Sequence, residues 1–262
     1  MPLITLLTDF GSRDAFVGIM KGVILKISPE INIIDLTHVI QPQEVGEGAF
    51  ILSSAYPFFP DGTIHICVVD PGVGSKRRAI IIETEKYVFV GPDNGIFAYV
   101  YLREPNVRVI SITQTDYMLP QISNTFHGRD IFASVAAHIA NGVPISRFGP
   151  EVTDYHTGLI SIPVVKDNII CARVLHIDHY GNIITNVGKS LFTETTKNKK
   201  FQIRLAAMTI DRIRNSYDEV NIGSFLAIWG SVDQLEIAVN KGNAAKLIGV
   251  LQGDPVEIRI EN

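Results

Sequence analysis

The spacing of the apolar residues changes near Pro150, and this change constrains the fold of the chain more than any other feature. Before that point, β-rich runs alternate with segments whose apolar residues recur every three or four positions, a pattern typical of strands and helices. After it, short β-type runs follow one another with turns between them. The sequence therefore predicts an α/β N-terminal domain over residues 1–155 and a smaller, mostly antiparallel β C-terminal domain over residues 156–262.

Individual elements can be placed on this pattern. The predicted N-terminal strands are Ile4–Leu7, Ile31–Leu36, Thr63–Val69, Ala79–Ile82 and Val107–Ile112, and the predicted helices are Asp14–Ile27, Glu44–Tyr56 and Asp130–Ile139. Ser12 is the expected N-cap of the first helix. The C-terminal half predicts a short helix at Asn243–Ile248 and the strands Leu159–Val165, Ile169–Ile177, Asn182–Val187, Phe201–Ala206, Phe225–Trp229, Leu235–Val239 and Val256–Ile260.

Composition excludes several classes of protein. The 262 residues are 46% hydrophobic and 19% charged with a formal net charge of −4, which is typical of a globular protein. The dense basic run Lys197 to Lys200 has no interleaved aromatic residues, which favours a solvated loop over a nucleic-acid site. No apolar stretch approaches the roughly 20 residues of a membrane span. Cys67 and Cys171 lie in apolar runs, which predicts buried, reduced thiols and a cytoplasmic protein.

Two acidic motifs follow predicted strands, where open α/β sheets bind ligands. Asp9-Phe10-Gly11 matches the magnesium motif of protein kinases, but the chain lacks the glycine-rich loop and the His-Arg-Asp motif of those enzymes. Asp9 is therefore either an N-cap or a ligand contact. The loop Asp70 to Ser75 lacks the Lys-Ser or Lys-Thr pair that closes a phosphate-binding loop, so it is either a plain turn or a site where Asp70 pairs with Arg77.

The remaining polar motifs are ambiguous when taken singly. His127 precedes a predicted helix, although an isolated histidine is more often structural than catalytic. No His, Cys and acidic residues recur at the spacing of a metal site, so we expect no bound metal. A polar cluster from His176 to Asn182 interrupts a strand pattern, and Gly230-Ser231 predicts a hairpin.

Taken in order, these motifs resemble one family, the S-adenosylmethionine hydroxide adenosyltransferases, which are related to the bacterial fluorinase and chlorinase. The motifs that carry the resemblance span the chain: Thr8 to Gly11, Val69 to Gly74, Gly91 to Gly95, Phe126 to Asp130, Ile177-Asp178 with Gly181-Asn182, and Ile237 to Asn240. The resemblance implies an α/β domain, a β domain, and a homotrimer whose ligand lies between domains of neighbouring subunits.

Residue by residue, the resemblance implies a water-activating triad of Asp70, Arg77 and His127, with Asp9 binding the ribose hydroxyls. The further substrate contacts that it implies are Asp178 near the methionine ammonium, Asn182 at the adenosine, Ser231 at the methionine end, and Glu236 and Val239 at the pocket wall. Gln43 stands where the halogenases carry a tryptophan, and Tyr180 is the expected substitute for that aromatic wall.

The activity that the resemblance implies is cleavage of S-adenosylmethionine by water to adenosine and methionine, without a cofactor. Asp70 and His127 would both accept the proton of the water, while Arg77 holds Asp70 in place. A halide adenosyltransferase and a non-catalytic nucleoside-binding module remain alternatives. The halogenases carry a tyrosine at the position of Asp70 and a serine at that of Gly128, which favours water over halide in this chain.

Overall fold

The chain folds as two units, Met1–Ile160 and Ser161–Asn262. The computed structural model describes residues 3–158, 160–197 and 199–261. The strands of the first unit are β1 (Leu3–Thr8), β2 (Asn32–Thr37), β3 (Ile64–Val68), β4 (Ala79–Glu83), β5 (Val88–Pro92) and β6 (Arg108–Ser111). Its helices are α1 (Phe16–Ile27), α2 (Val45–Ala55), α3 (Ala98–Arg103) and α4 (Ser134–Ala140).

The strands of the first unit form one six-stranded sheet in the order β2-β1-β3-β5-β4-β6. β1, β2, β3 and β5 run parallel, whereas β4 pairs antiparallel with both β5 and β6. β1 and β3 are direct neighbours, with Thr8 opposite Val68 at their carboxyl ends. The residues that follow these two strands are therefore brought to the same edge of the sheet.

Helices cover both faces of this sheet, which explains why its central strands are almost entirely apolar. Every residue of β3 is buried. Along β1, Ile4 and Leu6 pack with α1 and α4, whereas Leu7 packs with α2 and α3. Because side chains alternate across a strand, this one short segment fills two cores.

Several elements differ from the predictions. The apolar pattern does not predict β5, because that strand ends in Gly-Pro, which is ordinarily a turn signal. Ser12 is not the N-cap of α1, since the helix begins at Phe16 and no side chain caps it. The predicted helix Asp130–Ile139 consists of a π-helical turn, Gly128–Ala133, that continues into α4. Such turns are frequent at functional sites, and this one begins beside His127.

The second unit is built on a nine-stranded sheet. Its strands are β7 (Val164–Lys166), β8 (Ile169–Ile177), β9 (Ile183–Gly188), β10 (Phe201–Leu205), β11 (Met208–Ile210), β12 (Ile213–Arg214), β13 (Phe225–Trp229), β14 (Gln234–Val239) and β15 (Pro255–Ile260), and its helices are α5 (Lys189–Thr196) and α6 (Ala244–Ile248). Within the described residues, every strand pairing is antiparallel except that of β12 with β13. The predicted mostly antiparallel β domain is confirmed.

The prediction of two buried thiols is half right. Cys67 is buried on β3, but Cys171 is exposed because it occupies an outward-facing position of β8. Leu159, the predicted start of a strand, and Asn198, within the basic run, lie outside the described residues. In the described part of the chain, no helix has the length and apolarity that crossing a membrane requires.

Candidate active site

Two neighbouring strands lead into acidic residues at the same edge of the first sheet. Asp9 follows β1 directly, and Asp70 follows β3 after one intervening residue. Since β1 and β3 are parallel and adjacent, both carboxylates are delivered to the carboxyl edge of the sheet. Their positions agree with the placement expected from the sequence.

Arg77 binds Asp70 with two hydrogen bonds. Its Nε donates to Asp70 Oδ1 at 2.9 Å, and its Nη2 donates to Asp70 Oδ2. The pair is almost fully buried, since 9% of the Arg77 side chain and 4% of the Asp70 side chain are exposed. Losing one partner of such a pair leaves a buried charge unpaired, which typically costs about 3–5 kcal/mol. The predicted charge pair between Asp70 and Arg77 is confirmed.

His127 joins this pair through Arg77. Arg77 Nη2 lies 2.9 Å from His127 Nδ1. Because a guanidinium only donates hydrogen bonds, Nδ1 is the acceptor, and the hydrogen of the neutral imidazole is on Nε2. Burial, together with the charge of Arg77, lowers the pKa of His127 and so favours this neutral form. The remaining ring nitrogen is therefore a hydrogen-bond donor rather than a base.

A pocket of about 410 Å³ opens at this edge of the sheet. Asp9, Asp70 and His127 line it, whereas Arg77 does not, so Arg77 supports the carboxylate from behind. Within the described ranges, no group of three or more His, Cys, Asp or Glu side chains is arranged to hold a metal ion.

Three phenylalanines, Phe10, Phe16 and Phe126, form an apolar wall of the pocket. Their rings pack edge to face with centroids 5.3, 5.7 and 5.9 Å apart. The helical pattern places Phe16 on the apolar stripe of α1, yet 43% of this residue is exposed. The sequence does not reveal this wall, because an apolar residue at helical spacing gives the same signal in a core and in a pocket.

The main chain orients Asp9. The Gln43 N–H donates to Asp9 Oδ2 at 2.8 Å. Gln43 adopts a φ of 71°, a left-handed conformation that is uncommon for residues other than glycine, and it also lines the pocket. Asp9 thus faces the pocket with one oxygen already fixed, and it does not cap α1.

The polar cluster of the second unit is a tight loop built around Asp178. Asp178 Oδ1 accepts hydrogen bonds from the Tyr180 N–H at 2.9 Å and the Asn182 N–H at 2.8 Å, and Oδ2 accepts one from the Asn182 amide at 2.9 Å. Gly181 closes the turn at a φ of 83°. The loop fixes Asp178 and Asn182 side by side and leaves Tyr180 exposed.

Glu236, Ser231 and Val239 lie on the hairpin of β13 and β14, in agreement with the hairpin predicted at Gly230. Glu236 is buried and accepts a 2.6 Å hydrogen bond from the Tyr217 hydroxyl. Burial raises the pKa of Glu236, and the charge of Asp178 adds to this effect. Ser231 is exposed at the turn, whereas Val239 packs in the core of the second unit. Tyr217 is absent from the predicted set, because no motif of the sequence singles it out.

Comparisons with known proteins agree on one family. Residues 4–149 match the SAM hydroxide adenosyltransferase N-terminal domain, and residues 172–257 match the corresponding C-terminal domain. A curated (R)-S-adenosyl-L-methionine hydrolase from Methanocaldococcus jannaschii is 38% identical over 271 residues, covering 98% of this chain and 96% of the relative. A protein of the same name from Salinispora tropica is 36% identical over 260 residues, covering 98% and 97%.

The structural comparison gives the same result. The crystal structure of an uncharacterized conserved protein from Thermotoga maritima has a TM-score of 0.92 and 34% identity, covering 98% of this chain and 99% of that chain. Fluorinases are more distant: one from Nocardia brasiliensis is 23% identical over 294 residues, covering 99% of this chain and 97% of the relative. Since both domain matches and these relatives span nearly the whole sequence, this chain belongs to the SAM hydroxide adenosyltransferase family.

Proposed function

We propose that the protein is an enzyme that hydrolyses S-adenosylmethionine at the 5′ carbon of the ribose, giving adenosine and methionine. The observation that carries this proposal is the buried Arg77–Asp70 pair at the pocket, linked to a neutral His127. A carboxylate acceptor and an imidazole donor then line the same space, where they can bind a water through both its hydrogen and its oxygen. The relatives named (R)-S-adenosyl-L-methionine hydrolase support the same reaction.

The substrate sulfonium is a good leaving group, so the protein mainly has to hold the water and direct its attack. Ionising water fully at pH 7 means lowering its pKa from about 15.7 to about 7, which is roughly 12 kcal/mol at 1.36 kcal/mol per unit. We therefore assign proton transfer to the attack itself and not to a step before it. Holding the water at near-attack distance lowers the barrier further without changing any pKa.

In this scheme Asp70 accepts the proton. As the water oxygen bonds to C5′, the C5′–S bond breaks, its electron pair goes to sulfur, and the water proton goes to Asp70. His127 donates from Nε2 to the water oxygen and orients it, because Nδ1 is engaged with Arg77. This role differs from the sequence-based expectation that His127 shares in accepting the proton. Arg77 is a positioning residue that holds both partners.

Asp9 would bind the ribose hydroxyls, since a carboxylate oriented toward the pocket accepts hydrogen bonds from a vicinal diol. In the second unit, Asp178 is proposed to contact the methionine ammonium and Asn182 the adenosine. The hydrogen bonds that hold these two residues side by side in their loop support this assignment. Ser231 is proposed to contact the methionine end, and Glu236 to form part of the pocket wall. Val239 is 3% exposed, so only its main chain is proposed to meet a ligand.

Halide transfer is the alternative that the fluorinase relatives raise. A halide beside the Asp70 carboxylate would meet two unit negative charges about 4 Å apart, which repel by roughly 4 kcal/mol at an effective dielectric near 20, or nearly a thousandfold in occupancy. Arg77 and the sulfonium offset part of this repulsion. Water avoids it altogether and donates a hydrogen bond to Asp70, so we favour water as the nucleophile.

Chromatography of reactions with the separated sulfur epimers of S-adenosylmethionine tests the proposal. The names of the relatives specify the (R) epimer, so we expect equimolar adenosine and methionine from that epimer and much less from the (S) epimer. Asp70→Asn, which should be slower by roughly 100-fold or more, is the control. A nucleoside-binding module would bind adenosine without forming either product, and a halide transferase would form a halogenated nucleoside in halide buffer.

We also propose a metal-independent, cytoplasmic homotrimer. Support for association comes from α1, where 41–44% of Phe16, Ile19 and Leu25 is exposed, and support for the compartment comes from the free thiols of Cys67 and Cys171. Light scattering should give three times the chain mass of 28.9 kDa. Prolonged chelation should leave the rate unchanged, and activity lost on chelation and restored by a metal would overturn metal independence.

A further inference from the structure

The turn that contains Asp9 makes hydrogen bonds to a histidine at the end of the neighbouring strand. His38 follows β2, which pairs with β1 in parallel. The His38 carbonyl accepts the Gly11 N–H at 2.7 Å, and His38 Nδ1 lies 2.9 Å from Thr8 Oγ1. Thr8 Oγ1 in turn accepts the Phe10 N–H at 3.2 Å. His38 therefore contacts the residues on both sides of Asp9.

The other ring nitrogen of His38 sets the direction of these contacts. His38 Nε2 lies 3.1 Å from Asp35 Oδ1, and Lys21 Nζ lies 2.6 Å from Asp35 Oδ2. At this distance the Asp35 carboxylate attracts a hydrogen on Nε2. A carboxylate at this nitrogen favours a hydrogen on Nε2, which leaves the lone pair of Nδ1 to accept the Thr8 hydroxyl.

We infer that His38 is a positioning residue that holds Asp9 in the geometry needed to bind the two hydroxyls of a ribose, acting through Thr8 and Gly11. The inference rests on the proposed function, because it assumes that Asp9 binds the ribose. Asp9 itself receives one hydrogen bond from the Gln43 N–H. That single bond does not fix the turn, so the contacts of His38 with Thr8 and Gly11 supply the remaining restraint.

The same sheet contains a matched pair that separates positioning from general stability. Thr5, three residues before Thr8 on β1, has its Oγ1 2.7 Å from Nδ1 of His65 on β3. Both Thr5 and His65 are fully buried, and neither lines the pocket. Thr5→Val therefore removes a hydroxyl from an equivalent Thr–His contact that does not bear on Asp9.

The experiment compares the affinities of adenosine and 2′,3′-dideoxyadenosine, measured by calorimetry, in the wild type and in variants. In the wild type adenosine should bind more tightly, and Asp9→Ala should abolish that preference. His38→Leu should lower adenosine affinity roughly tenfold, about the effect of one lost hydrogen bond, and should leave dideoxyadenosine affinity unchanged. His38→Asn should restore most of the preference, because Asn Oδ1 replaces Nδ1 as acceptor, and Thr5→Val should keep all of it.

Thr8→Val provides a second route to the same contact if His38→Leu fails to fold, and it should lower the preference at least as much, because it also removes the acceptor of the Phe10 N–H. A preference retained in both His38→Leu and Thr8→Val, while Asp9→Ala removes it, would overturn the inference and leave the proposed function intact. Equal loss of the preference in Thr5→Val would also overturn it, since the effect would then belong to the sheet as a whole. A wild type that forms no adenosine from S-adenosylmethionine would instead reject the proposed function.

Discussion

His127 Nδ1 accepts a hydrogen bond from Arg77 Nη2 at 2.9 Å, and this contact assigns different roles to the two residues that could accept a proton. With Nδ1 occupied, the neutral imidazole carries its hydrogen on Nε2 and has no free nitrogen that could accept a proton. Asp70, although bound twice by Arg77, keeps unused lone pairs on both oxygens. We therefore expect Asp70 to accept the proton.

Asp70→Asn should reduce kcat by roughly 100-fold or more, because the acceptor is lost with little change in shape. Adenosine affinity, measured by calorimetry, should change little. His127→Ala and Arg77→Ala should also lower kcat, and the double variants should lose less than the product of the single effects if the three residues act as one unit. Full activity in Asp70→Asn would exclude Asp70 as the acceptor.

Activity should decline in acid as His127 becomes charged. The pKa of His127 is lowered, chiefly by burial, so the neutral form persists below the ordinary value near 6.5 and is lost as pH falls through the lower folded-state value. Protonation would place a hydrogen on Nδ1, facing the Arg77 donor. The profile of kcat/KM against pH should therefore have an acid limb with its midpoint below 6.5. His127→Asn, which keeps an acceptor near Nδ1 but does not titrate, should lack that limb, and an unchanged limb would assign it to another group.

Gly128→Ser, which introduces the hydroxyl of the halogenases, should not create a halide transferase. A Cβ at Gly128 would lie 3.3 Å from the Phe10 ring and 3.3 Å from Met20 Sδ, which is tighter than ordinary contact. Overpacking of this kind typically costs about 1–3 kcal/mol, and here it would displace the ring next to Asp9. We expect a raised KM and no chlorinated product.

Gly128→Ala separates the added bulk from the hydroxyl and should raise KM similarly. Gly22→Ala on α1, where a Cβ meets no atom within 4 Å, is the control and should leave KM unchanged. Chlorinated nucleoside formed by Gly128→Ser at a rate comparable to hydrolysis would contradict the steric explanation.

His65 should make the fold sensitive to acid. The ring is fully buried among aromatic side chains, and burial lowers the pKa of His65 to about 3. The unfolded chain binds a proton below about pH 6.5 and the folded chain does not, so stability is lost as pH falls. Between pH 7.5 and pH 5 this loss is about 2 kcal/mol. Urea unfolding at both pH values should show a smaller loss for His65→Phe than for the wild type, and an equal loss would mean that His65 does not contribute.

The strands that the sequence predicts best are those whose apolar residues lie between clear turn signals. β8 and β13 match their predicted bounds. Buried and exposed residues alternate along much of β8, and β13 is a continuous apolar run. The pattern does not predict α5, whose Thr-rich sequence has low helix propensity, and two of its threonines bond back to carbonyls four residues earlier. Local signals thus predict the layers of the fold better than the elements that tertiary packing stabilises.

The sequence likewise predicts some features of the candidate site and not others. The resemblance that the ordered motifs carry points to Asp70, Arg77 and His127 as candidates, and the structure brings these three side chains into contact. The tautomer of His127 depends on a contact between residues 50 positions apart, and no local pattern reports it. The contact of His38 with Thr8 joins two strand ends that are 30 positions apart. The spacing of residues in the sequence does not predict it either.

Oxygen-18 water tests the central claim most directly. S-adenosylmethionine should be turned over in labelled water containing molar chloride, and the adenosine analysed by mass spectrometry. If water held by Asp70 and His127 attacks C5′, each adenosine carries one labelled oxygen at its 5′ hydroxyl, and no chlorinated nucleoside forms. Unlabelled adenosine, or a chlorinated nucleoside as the main product, would contradict hydrolysis at this site.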